Sequence, residues 1–123
     1  MRIFKTKWFG RFARQEKIAD ATLVEAISRA ERGVIDADLG HGVIKQRIAR
    51  PGQGTSGGFR SIILFRRESR AYFVYGFAKS DRGNIRKDEL EAFRKLASEL
   101  LDLDDAAIEA AMANETIMEV KHD

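Results

Sequence analysis

Hydrophobic side chains in the first quarter of the chain recur with helical spacing. Residues 7–18 place three aromatic side chains among Lys and Arg, and residues 22–33 repeat apolar positions every three or four residues. Thr22 followed by Glu25 fits a capping box, in which each side chain accepts a hydrogen bond from the other residue's backbone N–H. The pattern therefore predicts two helices, preceded by a short edge strand in residues 1–7.

The spacing changes to a period of two near the middle of the chain. Residues 42–50 alternate between two sets of side chains, with Val43, Lys45 and Arg47 on one side and Ile44, Gln46 and Ile48 on the other. Such alternation is typical of a half-buried antiparallel strand. Residues 50–58 contain the only proline and four glycines, which predicts a loop before the next strand.

Two further apolar runs predict a β-hairpin. Residues 59–65 and 71–77 are rich in Ile, Phe and Tyr, and a short polar stretch joins them. Strict alternation in the second run places Phe73, Tyr75 and Phe77 on one face. We expect the two phenylalanines to be core residues, whereas the hydroxyl of the tyrosine needs a partner or solvent.

The pattern returns to helical spacing after the hairpin. Asn84 is the predicted N-cap of a helix over residues 85–101, and Asp104 or Asp105 is the predicted N-cap of a short final helix. Residues 117–120 then predict a closing strand. These signals place the last helices directly after the basic hairpin.

The elements together predict one α+β domain over residues 1–123. We expect a small antiparallel β-sheet that packs against N-terminal helices in residues 1–33. Residues 34–82 form the basic sheet, and residues 83–123 form an acidic C-terminal helical segment with the closing strand.

Charge is segregated along this domain. The chain has 22 Lys+Arg and 19 Asp+Glu, a formal net charge of +3 at pH 7. Residues 1–86 hold 18 basic and 8 acidic side chains, a balance of +10, whereas residues 87–123 hold 4 and 11, a balance of −7. Such asymmetry points to a polyanionic partner for the basic part.

The scarcity of certain residue types excludes several kinds of chemistry. The chain has no Cys and only two His, so it offers no disulfide, no thiol nucleophile and no metal site built from Cys or His. We therefore expect no cofactor and no metal. No apolar run approaches the roughly 20 residues that cross a bilayer, so we expect a cytoplasmic protein with no membrane partner.

The basic middle segment interleaves cations with aromatic side chains. Arg and Lys bind phosphates and exposed rings stack on splayed bases, which favours single-stranded RNA as the ligand. RNA can be cleaved without a metal when its 2′-OH attacks the adjacent phosphate, provided that a base, an acid and stabilising cations are present. Lys45 or Lys79 is then a candidate base, and Arg47 or Arg60 a candidate for binding the phosphate.

Four segments combine glycines, cations and aromatic side chains in a recognisable order: residues 38–54 (DLGHGVIKQRIARPGQG), 56–60 (SGGFR), 75–80 (YGFAKS) and 84–85 (NI). In this combination the chain resembles the RelE/HigB-like toxins of type II toxin–antitoxin systems, within the RelE/ParE superfamily. The resemblance implies an antiparallel sheet on N-terminal helices and cleavage of mRNA, usually on the ribosome. It also implies a cognate antitoxin that masks the basic surface.

The resemblance also assigns roles to single positions. Carried over residue by residue, it implies that the catalytic cations of the sheet are Lys45, Arg47, Arg60 and Lys79. Arg50 and Ser56 fall in the matching loop, and Arg82 and Asn84 in the segment that opens the last helical part. Together with Tyr75, these four are the predicted RNA-binding residues.

Two departures from the family pattern keep alternatives open. Relatives usually have Lys or Arg where this chain has Thr55, and commonly have Tyr where it has Phe59. One alternative is therefore a non-catalytic nucleic-acid-binding protein of the same fold. Another is a ParE-like gyrase inhibitor, because that branch shares the fold.

Overall fold

The structure is a six-stranded mixed sheet with helices on both faces. It is a computed structural model that describes residues 1–50 and 54–122, with the backbone alone for residues 54–57. Within these residues the elements in chain order are β1 (Arg2–Thr6), α1 (Lys7–Gln15), α2 (Asp20–Glu31), β2 (Ala37–Asp38), β3 (Val43–Arg50), β4 (Gly54–Arg66), β5 (Arg70–Ala78), α3 (Lys87–Leu100), α4 (Asp105–Ala113) and β6 (Ile117–Glu119). None of these helices is long and apolar enough to cross a membrane.

The strands lie in the order β2-β3-β4-β5-β1-β6. β2 through β5 pair antiparallel, as expected from their short connections, whereas β1 pairs in parallel with β5. No hairpin constrains that pair, because two helices and three strands separate β1 from β5 along the chain. The α+β class, the N-terminal helices and the C-terminal helical segment are confirmed, in a sheet that is mixed.

Helices cover both faces of the sheet because its central strand is apolar on both. Ile62, Ile63 and Leu64 in β4 are all fully buried. Ile63 packs with residues of α1 and α2, whereas Ile62 and Leu64 pack with residues of α3 and α4. The domain therefore has three layers, and we refer to the α1/α2 face and the α3/α4 face of the sheet.

The alternation predicted for β3 is confirmed. Ile44 and Ile48 are buried on the α1/α2 face, and Gln46 lies fully buried between them. Its amide Nε2 donates to two carbonyl oxygens, one in α2 at 3.0 Å and one just after α2 at 2.9 Å, which satisfies a polar group in the core. Lys45 and Arg47 consequently project to the α3/α4 face.

β5 carries one residue more than β4 at its middle. Tyr75 pairs with Ile62, but the next residue of β4, Ile63, pairs with Phe73, so Val74 is left without a partner. The prediction that Phe73, Tyr75 and Phe77 share one face is therefore wrong. Phe73 packs on the α1/α2 face and Tyr75 against the α3/α4 cluster, because a β-bulge re-aims every side chain that follows it.

The predicted start of α2 differs from the structure, whereas the predicted start of α4 is confirmed. α2 begins at Asp20 rather than at the Thr22 cap, because the Asp20 carboxylate accepts hydrogen bonds from Lys5 Nζ at 3.0 Å and from the backbone N–H of Lys121 at 3.1 Å. These contacts tie the first turn of α2 to β1 and to the chain after β6. The N-cap of α4 is Asp104, as predicted, and its carboxylate accepts the backbone N–H of Ala107 at 2.8 Å.

The start of α3 is set by a residue inside the helix. The N-cap is Arg86 rather than Asn84, since the carboxylate of Glu89 reaches back and accepts the Arg86 backbone N–H at 2.7 Å. Asn84 instead accepts the backbone N–H of Ile85 at 2.9 Å. The predicted N-cap at Asn84 is therefore wrong by two residues.

Two predictions about the strands also need correction. β1 is not an edge strand, because β6 pairs antiparallel along its other side. The predicted loop over residues 50–58 extends too far, since β4 already begins at Gly54. Residues 51–53 of that loop lie outside the described residues.

Gly76 in β5 faces α1 without room for a side chain. A Cβ at this position would lie 2.5 Å from Cε2 of Phe12, whose ring packs against Trp8 and Phe59. Gly76→Ala is therefore expected to lower the free energy of unfolding by about 1–3 kcal/mol through overpacking, as measured by urea denaturation. Gly83→Ala is the matched control, because nothing lies within 4 Å of a Cβ there. Equal denaturation midpoints for the two variants would contradict the close packing of Phe12 on Gly76.

Candidate functional site

Most of the predicted catalytic residues meet on the α3/α4 face of the sheet. Two adjacent rows of directly paired residues cross β3, β4 and β5, one formed by Lys45, Ile62 and Tyr75 and the next by Arg47, Arg60 and Phe77. Three cations and a tyrosine from separate parts of the sequence thus occupy one patch of the sheet. We call these two rows the basic patch.

Arg47 and Arg60 lie directly opposite each other on antiparallel strands. Two like charges in that position repel each other, because their Cβ atoms are only about 4.5–5.5 Å apart. Asp36, which precedes β2, offsets this repulsion. Its carboxylate lies 3.0 Å from Arg47 Nε and 3.8 Å from Arg60 Nε, and its backbone N–H donates to the side chain of the buried Gln46 at 3.0 Å.

Arg60 is the most buried cation of the patch. It is only 6% exposed, and its Nη1 has no hydrogen-bond partner among the described residues. Asp36 is too distant at 3.8 Å to accept a hydrogen bond from Arg60 Nε. A buried donor without an acceptor carries a desolvation penalty of roughly 1–3 kcal/mol or more.

Tyr75 belongs to a network that anchors the segment before α3. Its hydroxyl accepts a hydrogen bond from Arg82 Nη1 at 3.0 Å, and its ring stacks on Trp8 with a centroid distance of 4.7 Å. Arg82 also binds both carboxylate oxygens of Glu89, at 2.5 and 3.1 Å. These hydrogen bonds raise the pKa of Arg82 further above its ordinary value. They lower the pKa of Glu89 to about 2, with the Arg86 backbone N–H contributing to that shift.

The other predicted site residues lie around the patch rather than in it. Lys79 directly follows β5 and is exposed, and Asn84 is exposed in the segment before α3. Arg50 lies over the ring of Phe59, 5.3 Å from its centroid, and Phe59 packs on the α1/α2 face. The structure thus separates Arg50 from the basic patch. The side chain of Ser56 lies outside the described residues.

Five aromatic side chains line a cleft of about 300 Å³ between α1 and the end of β5: Trp8, Phe12, Phe59, Tyr75 and Phe77. We call it the aromatic cleft. Trp8 is one of the three aromatic residues in the first predicted helix, and it is 39% exposed. Helical spacing cannot show this, because the surroundings of Trp8 come from β5, far away in the sequence.

Asp36 and Glu89 are two further residues of the site that the sequence pattern does not mark as functional. Each is an acid that pairs with predicted site cations, Asp36 with Arg47 and Arg60 and Glu89 with Arg82. The only local signal for Asp36 is its position directly before the basic strands. Across the described residues, His, Asp and Glu side chains form no group of three or more that could hold a metal ion.

The fold and the patch can be compared with known families. The family model for the RelE toxin of the RelE/RelB toxin–antitoxin system matches residues 1–120. The chain belongs to the RelE toxin family. Comparison with curated proteins gives no match. This RelE toxin is thus the toxin component of a toxin–antitoxin system, and its partner is an antitoxin.

The Arg82–Glu89 pair makes the stability of the RelE toxin depend on pH. Because the folded state lowers the pKa of Glu89 to about 2 from an ordinary 4.5, the stabilisation is complete above about pH 4.5 and is lost as the pH falls toward 2. Glu89→Gln is therefore expected to lower the urea midpoint at pH 7, with a difference from wild type that shrinks below pH 4.5. Glu99→Gln, at an exposed position of α3, controls for the loss of one charge. A difference that does not change with pH would contradict the assignment.

Asp36 is expected to compete with anionic ligands for the two arginines. Asp36→Asn should therefore strengthen the binding of single-stranded RNA several-fold while lowering the thermal midpoint, because the repulsion between Arg47 and Arg60 is no longer offset. Fluorescence anisotropy of a labelled oligonucleotide and a thermal melt measure the two effects. Asp102→Asn removes an equal charge from an exposed ion pair with Arg66 and is the control. Equal gains in affinity for both variants would contradict competition at the two arginines, because net charge alone would then explain the effect.

Proposed function

We propose that this RelE toxin is a metal-independent endoribonuclease that cleaves mRNA on the ribosome. The observation that carries the proposal is Arg60, a buried guanidinium on the basic patch whose Nη1 has no partner among the described residues. Such a group is matched by a phosphate, since a guanidinium presents several N–H donors in a planar fork. Family membership supports the same function, because RelE toxins are generally ribonucleases.

The proposed reaction needs only groups that the RNA and the toxin supply. A base removes the proton of a 2′-OH, whose oxygen attacks the adjacent phosphorus. The bond from phosphorus to the 5′ oxygen of the next nucleotide breaks, and an acid gives that oxygen a proton. The products are a 2′,3′-cyclic phosphate and a free 5′-OH. In the transition state between substrate and products, negative charge builds up on the phosphate oxygens, so fixed cations accelerate the reaction.

Within this scheme, Arg60 and Arg47 hold the phosphate. They lie opposite each other, and within residues 1–50 and 58–122 they share a single carboxylate, so a doubly charged transition state gains more from them than the ground state does. Lys45 is our choice for the base, because it is half-buried in the neighbouring row and enters no ion pair among the described residues. Lys79 is the second candidate for proton transfer.

The remaining predicted residues contact the RNA on either side of the phosphate. Arg82 stands at the Tyr75 side of the patch, and Asn84 follows it in the chain. Arg50 approaches from the α1/α2 face, beside the aromatic cleft. Ser56 is retained as a predicted RNA-binding residue from the sequence alone.

The test is conditional expression in bacteria together with mapping of mRNA 5′ ends in a translation reaction containing EDTA. Wild type is expected to arrest growth and to create new 5′ ends. Arg60→Lys should lower the cleavage rate by roughly 10²- to 10³-fold, because the bidentate contact is lost while the charge stays. Lys45→Ala should lower it by roughly 10²- to 10⁴-fold.

Arg67→Ala is the matched control for charge, since Arg67 is exposed in the β4–β5 turn and away from the patch. It should cleave like wild type. Thermal melts of all variants separate lost chemistry from lost folding. RNA binding without new 5′ ends would replace the proposal with a non-catalytic RNA-binding function. Stalled gyrase–DNA complexes with intact mRNA would replace it with gyrase inhibition.

A further inference from the structure

The aromatic cleft exists because β5 extends beyond the residues that pair with β1. β1 pairs with β5 only from Arg70 to Phe73, and the chain then turns into α1. The last part of β5, from the bulge to Ala78, therefore meets the side chains of α1 on that side instead of a strand. Trp8 and Phe12 from α1 line the cleft together with Tyr75 and Phe77 from β5, and the rings of Trp8 and Tyr75 are in direct contact.

Trp8 is an unusual wall residue because it combines exposure with fixed orientation. It is 39% exposed, although burial of an indole ring stabilises a fold strongly. Its ring is held by stacking on Tyr75 at 4.7 Å and on Phe12 at 5.5 Å between centroids. A planar ligand would thus stack on the exposed part of an indole that is already ordered, at little cost in side-chain entropy.

Two cations flank the aromatic walls. Arg50 lies over the ring of Phe59, at 5.3 Å from its centroid, and Arg82 lies over the ring of Phe77 at 5.6 Å. Glu16 and Asp81 also line the cleft and offer acceptors for ring N–H groups. Aromatic walls, flanking cations and a few acceptors together match a nucleotide, which joins a planar base to phosphates.

The cleft is continuous with the basic patch. Phe77 lines the cleft and is also the residue paired with Arg60 across β4 and β5. An RNA strand whose phosphate binds at Arg60 would therefore bring a neighbouring nucleotide to the mouth of the cleft. The volume of about 300 Å³ lies at the lower end of small-molecule sites, which suits one base rather than a longer segment.

We propose that the aromatic cleft binds one nucleobase of a single-stranded RNA, with Trp8 as its stacking wall. The inference rests on the proposed function, since the patch must hold the phosphate of the same RNA. It adds Trp8 and Phe12 of α1 to the RNA-binding residues predicted from the sequence, three of which, Arg50, Tyr75 and Arg82, line the same cleft. Trp8 is a positioning residue in this scheme and takes no part in the proton transfers.

The single tryptophan of the chain makes the proposal directly measurable. The full-length toxin is titrated with a 2′-O-methyl RNA oligonucleotide, which cannot undergo attack by a 2′-OH. Stacking of a base on Trp8 should quench its emission in a saturable manner. An abasic oligonucleotide of the same length and charge should bind through its phosphates without quenching.

Substitutions at Trp8 test the contribution of the ring to affinity. Trp8→Ala should weaken binding of a labelled oligonucleotide by at least about fivefold in fluorescence anisotropy, and Trp8→Phe should retain most of the affinity. Binding of the abasic oligonucleotide should not change in either variant. Val34→Ala, at an exposed apolar position outside the cleft, is the matched control.

Each other outcome overturns a defined part of the proposal. Oligonucleotide binding with unchanged emission and an unaffected Trp8→Ala variant would remove the subsite and leave the proposed function standing. No binding of any oligonucleotide, together with no RNA cleavage, would remove both. Quenching by nucleoside monophosphates at the same affinity as the oligonucleotide would assign the cleft to free nucleotides. Quenching only by aromatic peptides would assign it to a protein partner.

Discussion

The extra residue in β5 decides which side chains meet at the site. Because Val74 has no partner in β4, the side chains after it change faces, and Tyr75 and Phe77 project to the α3/α4 face beside Ile62 and Arg60. Without the bulge they would follow Phe73 into the core under α1, and small residues would lie beside the arginines instead. The same shift turns Gly76 toward α1, where only a glycine lets Phe12 pack closely. One inserted residue therefore builds the basic patch and the aromatic cleft at once.

The bulge also explains how far sequence patterns could predict the fold. β3, the hairpin of β4 and β5, and α4 follow from alternation, turn residues and a capping aspartate, all of which are local signals. The slip in β5 leaves no such signal, since residues 71–77 are apolar or aromatic on both faces and no change between polar and apolar positions marks it. The starts of α2 and α3 differ from the predicted ones for two separate reasons. Asp20 sets the start of α2 through Lys5 and Lys121, which are distant in the sequence. Glu89 sets the start of α3 through the backbone of Arg86, a residue type that is not among the usual N-caps.

Charge segregation along the chain has a different meaning in three dimensions. Acids of the C-terminal segment pair with cations from the earlier part, as Glu119 does with Arg2, Asp102 with Arg66 and Glu89 with Arg82. These pairs link the last helices and β6 to earlier parts of the chain, so part of the acidic excess is engaged in ion pairs within the domain. The arginines of the basic patch are not matched in this way, since Asp36 is the only acid with which they pair in the described part of the chain. The balance of +10 over residues 1–86 thus becomes, in the folded domain, a local excess of positive charge at the basic patch.

The incomplete pairing of the arginines in the basic patch links the stability of this RelE toxin to the proposed binding of a phosphate. Arg47 and Arg60 face each other with one carboxylate between them, and Arg60 is buried with an unfilled donor among the described residues. A core selected for stability alone would place apolar residues in that row, since buried charge is costly unless it is well paired. The positions of the cations were predictable from alternation and from the resemblance to a family. Their incomplete pairing was not, because it depends on Asp36 and Phe77, which approach from separate elements, and this deficit is what supports the proposed binding of a phosphate at the row.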